Sequence, residues 1–174
     1  MWYYEARLMA SLIAETDGPL SNPLDVVERI LAAHEWPFER FSDEEISVNI
    51  DGPWCRYHLW FHWVSESAAV QFTCAFDVKV PETRRVDIQV LLSIINSRLW
   101  LGHFTLWAED GALMFRHAQL MGGAVASAAQ FEDLVSVALN ECERYYPAFQ
   151  FVIWGGKSPV EAVASAMIDT VGEA

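Results

Sequence analysis

The sequence predicts an α+β protein in which helices pack against a five-stranded antiparallel sheet. Apolar residues recur at helical spacing in some segments and at every second position in others. The two kinds of segment occur in separate runs, in the order α-βββ-α-ββ-α-α, which favours an antiparallel sheet with helices beside it. A length of 174 residues fits one domain with a core of its own.

The N-terminal part of the chain is predicted to contain an arm and then a helix. Residues 1–20 have helical spacing of apolar residues followed by a turn rich in Gly and Pro, so we expect an amphipathic arm. A single domain is then expected over residues 21–174. Its first helix is predicted to be capped by Asn22, to have Pro23 at its first position and to end near His34.

The next part of the chain is predicted to form three strands. Between Phe38 and Val80 the apolar period changes from 3.6 to 2. The strands of this meander are expected at Ile46–Ile50, Cys55–Ser65 and Ala69–Val78.

The remaining elements are a helix, a hairpin and two closing helices. Apolar residues at i, i+3, i+4 and i+7 predict the first helix, and an acidic turn with Gly predicts the hairpin. Two capping boxes predict where the last two helices begin, and Pro147 is expected to kink or restart the longer one. The expected ranges are about Thr83–Ser97 for the helix, His103–Ala108 and Ala112–Leu120 for the hairpin, Ser127 onwards for the long helix, and Ser158 to about Thr170 for the last.

Composition and charge exclude several classes of partner. Eleven basic and 24 acidic residues give a net charge of −13, which repels nucleic acid and anionic membrane surfaces. No apolar run approaches the roughly 18 residues of a membrane span. Three cysteines without a CxxC motif indicate reduced thiols, so we expect a cytoplasmic protein without a secretion signal.

The reactive residue types do not form a recognisable catalytic motif. Gly156-Lys157-Ser158 resembles the end of a phosphate-binding loop, but Phe151 stands where that loop needs its first glycine. A helix end followed by a new helix cap explains the same residues. No nucleophile motif is present, and we predict neither catalytic residues nor a cofactor.

The histidines do not predict a metal site. His58 and His62 are four apart on a strand, so their Cα atoms are separated by about 13 Å and cannot bind one ion. His103 and His117 depend on the hairpin register. A two-residue turn places them on opposite faces, and a three-residue turn places them directly opposite each other.

Aromatic side chains are the most informative surface feature. On the strand Cys55–Ser65, odd-numbered residues from Tyr57 to Trp63 point to one face, and Trp60 lies between two histidines on the other. Such a patch is covered either by another chain or by the protein's own helices or arm. The predicted protein-interaction residues are Trp54, Trp60, His62 and Trp107.

The pattern of elements resembles the YbjN family. The resemblance covers about Ser21–Glu173 and is most specific from Ile95-Asn96 through Gly102-His103-Phe104 to Phe115-Arg116. That family is similar in architecture to the type III secretion chaperones. The resemblance implies a small cytoplasmic dimer that binds other proteins or has a regulatory role, and it brings no catalytic motif.

The sequence therefore predicts a non-enzymatic protein-binding domain, chaperone-like or regulatory, that forms a homodimer. Eight Trp residues and a strand that is apolar on both faces favour self-association. The alternative is a small-molecule-binding protein or an enzyme with a pocket near His103, Arg116 and His117. Asn96 is expected to bond backbone groups at a helix end, which is a structural role.

Overall fold

The computed structural model describes residues 22–121 and 127–169, so the predicted arm lies outside the described residues. Six strands form one sheet in the order β1-β2-β3-β4-β6-β5, and the pairs β1–β2 and β5–β6 are antiparallel. The elements are α1 (Pro23–Ala33), β1 (Phe38–Ser42), β2 (Glu45–Asp51), β3 (Arg56–Val64), β4 (Ala69–Lys79), α2 (Arg85–Asn96), β5 (His103–Leu106), β6 (Ala112–Leu120), α3 (Ala128–Ile153) and α4 (Pro159–Asp169). The α+β class is confirmed.

The prediction of five strands is wrong, because β1 precedes the predicted meander. Its sequence contains Glu39 and Arg40 on opposite faces, so it has no apolar alternation to indicate a strand. Arg40 lies opposite the buried Ile46, and its Nη1 donates to Asp25 Oδ1 at 2.8 Å and to Glu28. These ion pairs with α1 neutralise the Arg40 guanidinium, whose partial burial would otherwise destabilise the strand.

The capping predictions for the first and last helices are confirmed. Asn22 Oδ1 accepts from the N–H of Leu24 at 2.9 Å at the start of α1. At the start of α4, the Ser158 hydroxyl donates to Glu161 Oε2 at 2.6 Å and accepts from the Glu161 N–H at 3.4 Å. By contrast, α3 continues through Pro147 and does not restart there.

The chain divides into two compact units. The described part of unit 1 consists of residues 22–50, 58–73, 118–121 and 127–137, and that of unit 2 consists of residues 51–57, 74–117 and 138–169. In unit 1 the ring of Phe61 lies 5.0 Å from Phe72 and 6.4 Å from Phe131, centroid to centroid, and all three side chains are buried. Phe61 on the inward face of β3 is thus sealed in the core of unit 1.

Unit 2 has a core of aromatic rings centred on Phe104. Its ring centroid lies 5.4 Å from Phe115, 5.5 Å from Phe149 and 6.0 Å from both Phe76 and Tyr145. Most of these pairs meet edge to face, the arrangement that the ring quadrupole favours. Helices α2 and α4 also pack together within this unit.

The side chain of Asn96 joins the end of α2 to β5. Its Nδ2 donates to the carbonyl of Phe104 at 2.9 Å, and its Oδ1 accepts from the N–H of Phe104 at 2.8 Å. Among the described strands β5 is the last in the sheet order, so the amide satisfies a strand-edge residue that has no further strand beside it in this part of the chain. The prediction that Asn96 bonds backbone groups is confirmed, but these groups belong to β5 and not to the helix end.

Candidate functional site

The outer side of β3 exposes aromatic and imidazole side chains. Tyr57, Leu59 and Phe61 on the inner side are completely buried, whereas Trp60 is 37% exposed and His62 is exposed. We call His58, Trp60 and His62 the open face. Alternation along the strand places all three on one side of the sheet, as predicted from the sequence.

Two contacts define how β2 lies beside β3. His58 Nδ1 and Asn49 Oδ1 are 2.6 Å apart, and the N–H of Trp63 donates to the carbonyl of Glu44 at 2.8 Å. Both contacts fit the same antiparallel register. The His58 ring also lies 6.0 Å from the Trp60 ring.

This register places two carboxylates on the side of the sheet that carries Trp60. Ser47 lies opposite Trp60, and Glu45 lies opposite His62. On the next strand, Glu39 lies opposite Ser47. Side chains directly opposite in neighbouring strands share a face, so Glu39 and Glu45 border the open face.

The two units carry very different charge. The described part of unit 1 has ten acidic residues and only two basic ones, Arg29 and Arg40. The described part of unit 2 has ten acidic and eight basic residues. Among the described residues, the negative charge is therefore concentrated in the unit that contains the open face.

The other two predicted interaction residues lie in unit 2. Trp54 follows the β2 strand, and its ring is stacked on Tyr146 of α3 with 6.2 Å between centroids. Trp107 follows β5, where its N–H donates to the carbonyl of Ala112 at 2.8 Å. Both Trp54 and Trp107 are exposed, although Trp54 stacks on the buried Tyr146. They belong to unit 2, whereas Trp60 belongs to unit 1.

The hairpin register corrects both predicted turn lengths. His103 lies opposite Arg116, and four residues, 108–111, form the turn. Gly111, with φ +76°, donates its N–H to the carbonyl of Trp107 at 2.9 Å and closes this wider turn. His117 then points to the face opposite His103 and Arg116, so the three residues of the predicted alternative site do not converge.

Metal and phosphate binding find no support in the side-chain arrangement. In residues 22–121 and 127–169, no group of three or more His, Cys, Asp or Glu side chains is placed to hold a metal ion. Lys157 donates to Ser165 Oγ at 2.7 Å, and its Nζ lies 4.1 Å from the centroid of the Phe151 ring. The GKS sequence therefore joins two helices, as predicted.

Two of the three cysteines meet in the core of unit 2. The Sγ atoms of Cys74 and Cys142 are 3.7 Å apart, and both residues are fully buried. Burial raises the pKa of the Cys142 thiol, so that thiol stays protonated and is a poor nucleophile. The two cysteines are 68 residues apart in the sequence, and no local sequence pattern predicts their contact.

The fold and the open face define an α+β protein with a polar and aromatic sheet surface. A family model described as "Putative bacterial sensory transduction regulator", YbjN, matches residues 23–151, and the chain belongs to this family. A solved structure titled "Crystal structure of YbjN, a putative transcription regulator from E. coli" is similar with a TM-score of 0.51 and 12% identity, covering 68% of this chain and 84% of that chain. This likeness shows the fold alone.

Two further comparisons complete this description. A search of curated proteins finds no match to the chain. In the part of the chain that the structure describes, no helix combines the length and apolar character needed to cross a membrane.

Proposed function

We propose that this protein is a non-enzymatic protein-binding module with a regulatory role in the cytoplasm, and that the open face binds its partner. The observation that carries the proposal is the contrast between the two sides of β3. On one side Tyr57, Leu59 and Phe61 are completely buried, and the other side exposes Trp60 between two histidines. Trp is the residue type most enriched among the side chains that dominate binding energy at interfaces.

The setting of Trp60 supports binding to a polypeptide. A sheet surface is broad and gives room for an extended or helical segment. The hydrogen bond between His58 and Asn49 holds the imidazole beside the indole. The family description as a regulator of sensory transduction fits a protein whose work is done through contacts with other proteins.

Crosslinking from defined positions tests the proposal. A benzophenone amino acid is placed at position 60 in one version of the protein and at the exposed Trp154 of unit 2 in the other, and crosslinked peptides are identified by mass spectrometry. We expect one polypeptide to be captured reproducibly from position 60 and not from position 154. Equal or absent capture at the two positions would argue against the open face as a binding site.

We further propose that the protein is a homodimer with an architecture like that of the type III secretion chaperones. Unit 2 carries nearly balanced charge, and it exposes Val86 by 75% and Val90 by 48% one turn apart on α2. Val160, at the start of α4, is 67% exposed, and α2 and α4 pack together. An apolar helix surface without excess charge suits association between two identical chains.

A further inference from the structure

We propose that the segment bound by the open face is basic, and that one of its Arg or Lys side chains lies over Trp60 and pairs with Glu45 or Glu39. The inference rests on the proposed function, because it names the chemistry of the partner for that surface. It is carried by the position of the carboxylates relative to the indole and by the charge of unit 1.

The indole and the Glu45 carboxylate are spaced to share one cation, and Glu39 lies on the strand beyond, roughly 10 Å from Trp60. Neighbouring strands are about 4.8 Å apart, and diagonal neighbours across two strands are about 7–8 Å apart. Glu45 is diagonal to Trp60, since it lies two residues from Ser47 on β2. A guanidinium or ammonium group over the ring can therefore also reach a carboxylate oxygen, which combines a cation–π contact with a charge-assisted hydrogen bond.

The carboxylates at this face are available to a partner. Asp25 and Glu28, in the same unit, are already paired with Arg40. Across residues 22–121 and 127–169, neither Glu39 nor Glu45 forms an ion pair. A bound cation would thus gain its partner without breaking an existing ion pair.

The negative charge of unit 1 favours a positively charged partner. Ten acidic against two basic residues in the described part of unit 1 attract a basic segment and accelerate its association. The same charge opposes a second copy of the chain at this face, and it opposes nucleic acid and anionic lipid. A basic polypeptide is the occupant that the aromatic and acidic groups favour together.

A designed peptide provides the direct test. The probe is a twelve-residue peptide, blocked at both ends, in which arginine alternates with valine, and its binding to the full chain is measured by calorimetry. Matched peptides replace arginine with lysine, citrulline or glutamate. We expect binding of the arginine peptide, somewhat weaker binding of the lysine peptide, and no measurable binding of the neutral citrulline and acidic glutamate peptides.

Paired variants locate the binding. Trp60→Ala should weaken binding of the arginine peptide about three- to tenfold. The double variant Glu39→Gln with Glu45→Gln should weaken it about tenfold. The controls are Trp154→Ala, and Glu82→Gln with Glu109→Gln, which remove an exposed indole and two carboxylates from unit 2. Far-ultraviolet circular dichroism melts establish that all variants are folded before binding is compared.

Several outcomes overturn the inference. If the unit 2 variants weaken binding as much as the unit 1 variants, the attraction is general to an acidic protein. If the arginine peptide does not bind, or if position 60 crosslinks to a second copy, to residues 1–21 or to a segment without basic residues, the proposed partner chemistry is wrong. A reproducible crosslink to a non-basic protein segment would leave the proposed function intact, whereas the absence of any specific crosslink would remove it.

Discussion

Unit 1 and unit 2 both bury Phe rings and both expose Trp side chains, but they differ in charge. The described part of unit 1 exposes Trp60 on a strand and has ten acidic against two basic residues. The described part of unit 2 has ten acidic against eight basic residues, and besides four exposed Trp side chains it exposes two valines on α2. Net charge alone would suggest one uniformly acidic surface. The described residues instead give the two units different charge, and this is why we propose a basic partner for the open face and a second copy for the helix surface of unit 2.

The largest effect on stability is expected from the ring core of unit 2. Phe104→Ala removes the ring that four others contact, so the free energy of unfolding should fall by about 3–5 kcal/mol. Urea denaturation measures the change. The exposed Trp100→Ala is the control, and its unfolding free energy should change by less than about 0.5 kcal/mol.

The second effect concerns the oligomeric state and tests whether the two surfaces are separate. Val86→Glu together with Val90→Glu introduces four like charges into a symmetric interface, so the protein should elute as a monomer of 19.7 kDa. Light scattering coupled to size-exclusion chromatography gives the mass. The unmodified protein and Trp60→Ala should both have twice that mass. A monomeric Trp60→Ala protein would show that the open face is the dimer interface.

Asn96→Ala should have a smaller effect that is confined to stability. It removes both hydrogen bonds to the backbone of Phe104, and we expect a loss on the order of 1 kcal/mol in a urea melt. Binding at the open face should be unchanged, because Asn96 belongs to unit 2. Lost binding with unchanged stability would instead assign Asn96 to recognition.

The smallest expected effect is a pH dependence at the start of α4. Hydrogen bonds from the Ser158 side chain and N–H lower the pKa of Glu161 below its usual value of about 4.5. A lowered pKa in the folded state means that this carboxylate contributes stability above pH 4.5, and the contribution is lost as the pH falls through the folded-state pKa. The melting temperatures of the unmodified protein and Glu161→Gln should therefore differ at pH 7 and converge toward pH 3.

The sequence was sufficient where a local pattern determines the structure. Alternation along β3 predicted which residues lie on the same face as Trp60, and Ser158 with Glu161 predicted a helix start. It was insufficient for β1, where Arg40 faces inward and is neutralised by two acids on α1, twelve and fifteen residues away. Propensity and period carry no information about such a tertiary ion pair.

Three structural features depend on turn length, strand pairing or the way the chain is divided between the units, none of which a local sequence pattern encodes. The hairpin register follows from a four-residue turn, and a change of one residue would have moved His117 to the face of His103. Glu39 and Glu45 reach the open face only through strand pairing. The excess of acidic residues in unit 1 could not be predicted, because the segments of the two units are interleaved in the sequence.

We expect the amide of Asn96 to affect how the protein behaves at high concentration. A strand with free N–H and C=O groups is a template on which another chain can add a strand, and repeated addition produces fibres. At β5 the Asn96 side chain occupies these groups of Phe104, and at the β1 end the register is interrupted between Arg40 and Ser42 beside charged residues. Loss of the Asn96 amide should therefore make a concentrated solution polymerise sooner through edge-to-edge addition of strands. We expect this even where the melting temperature remains well above the storage temperature.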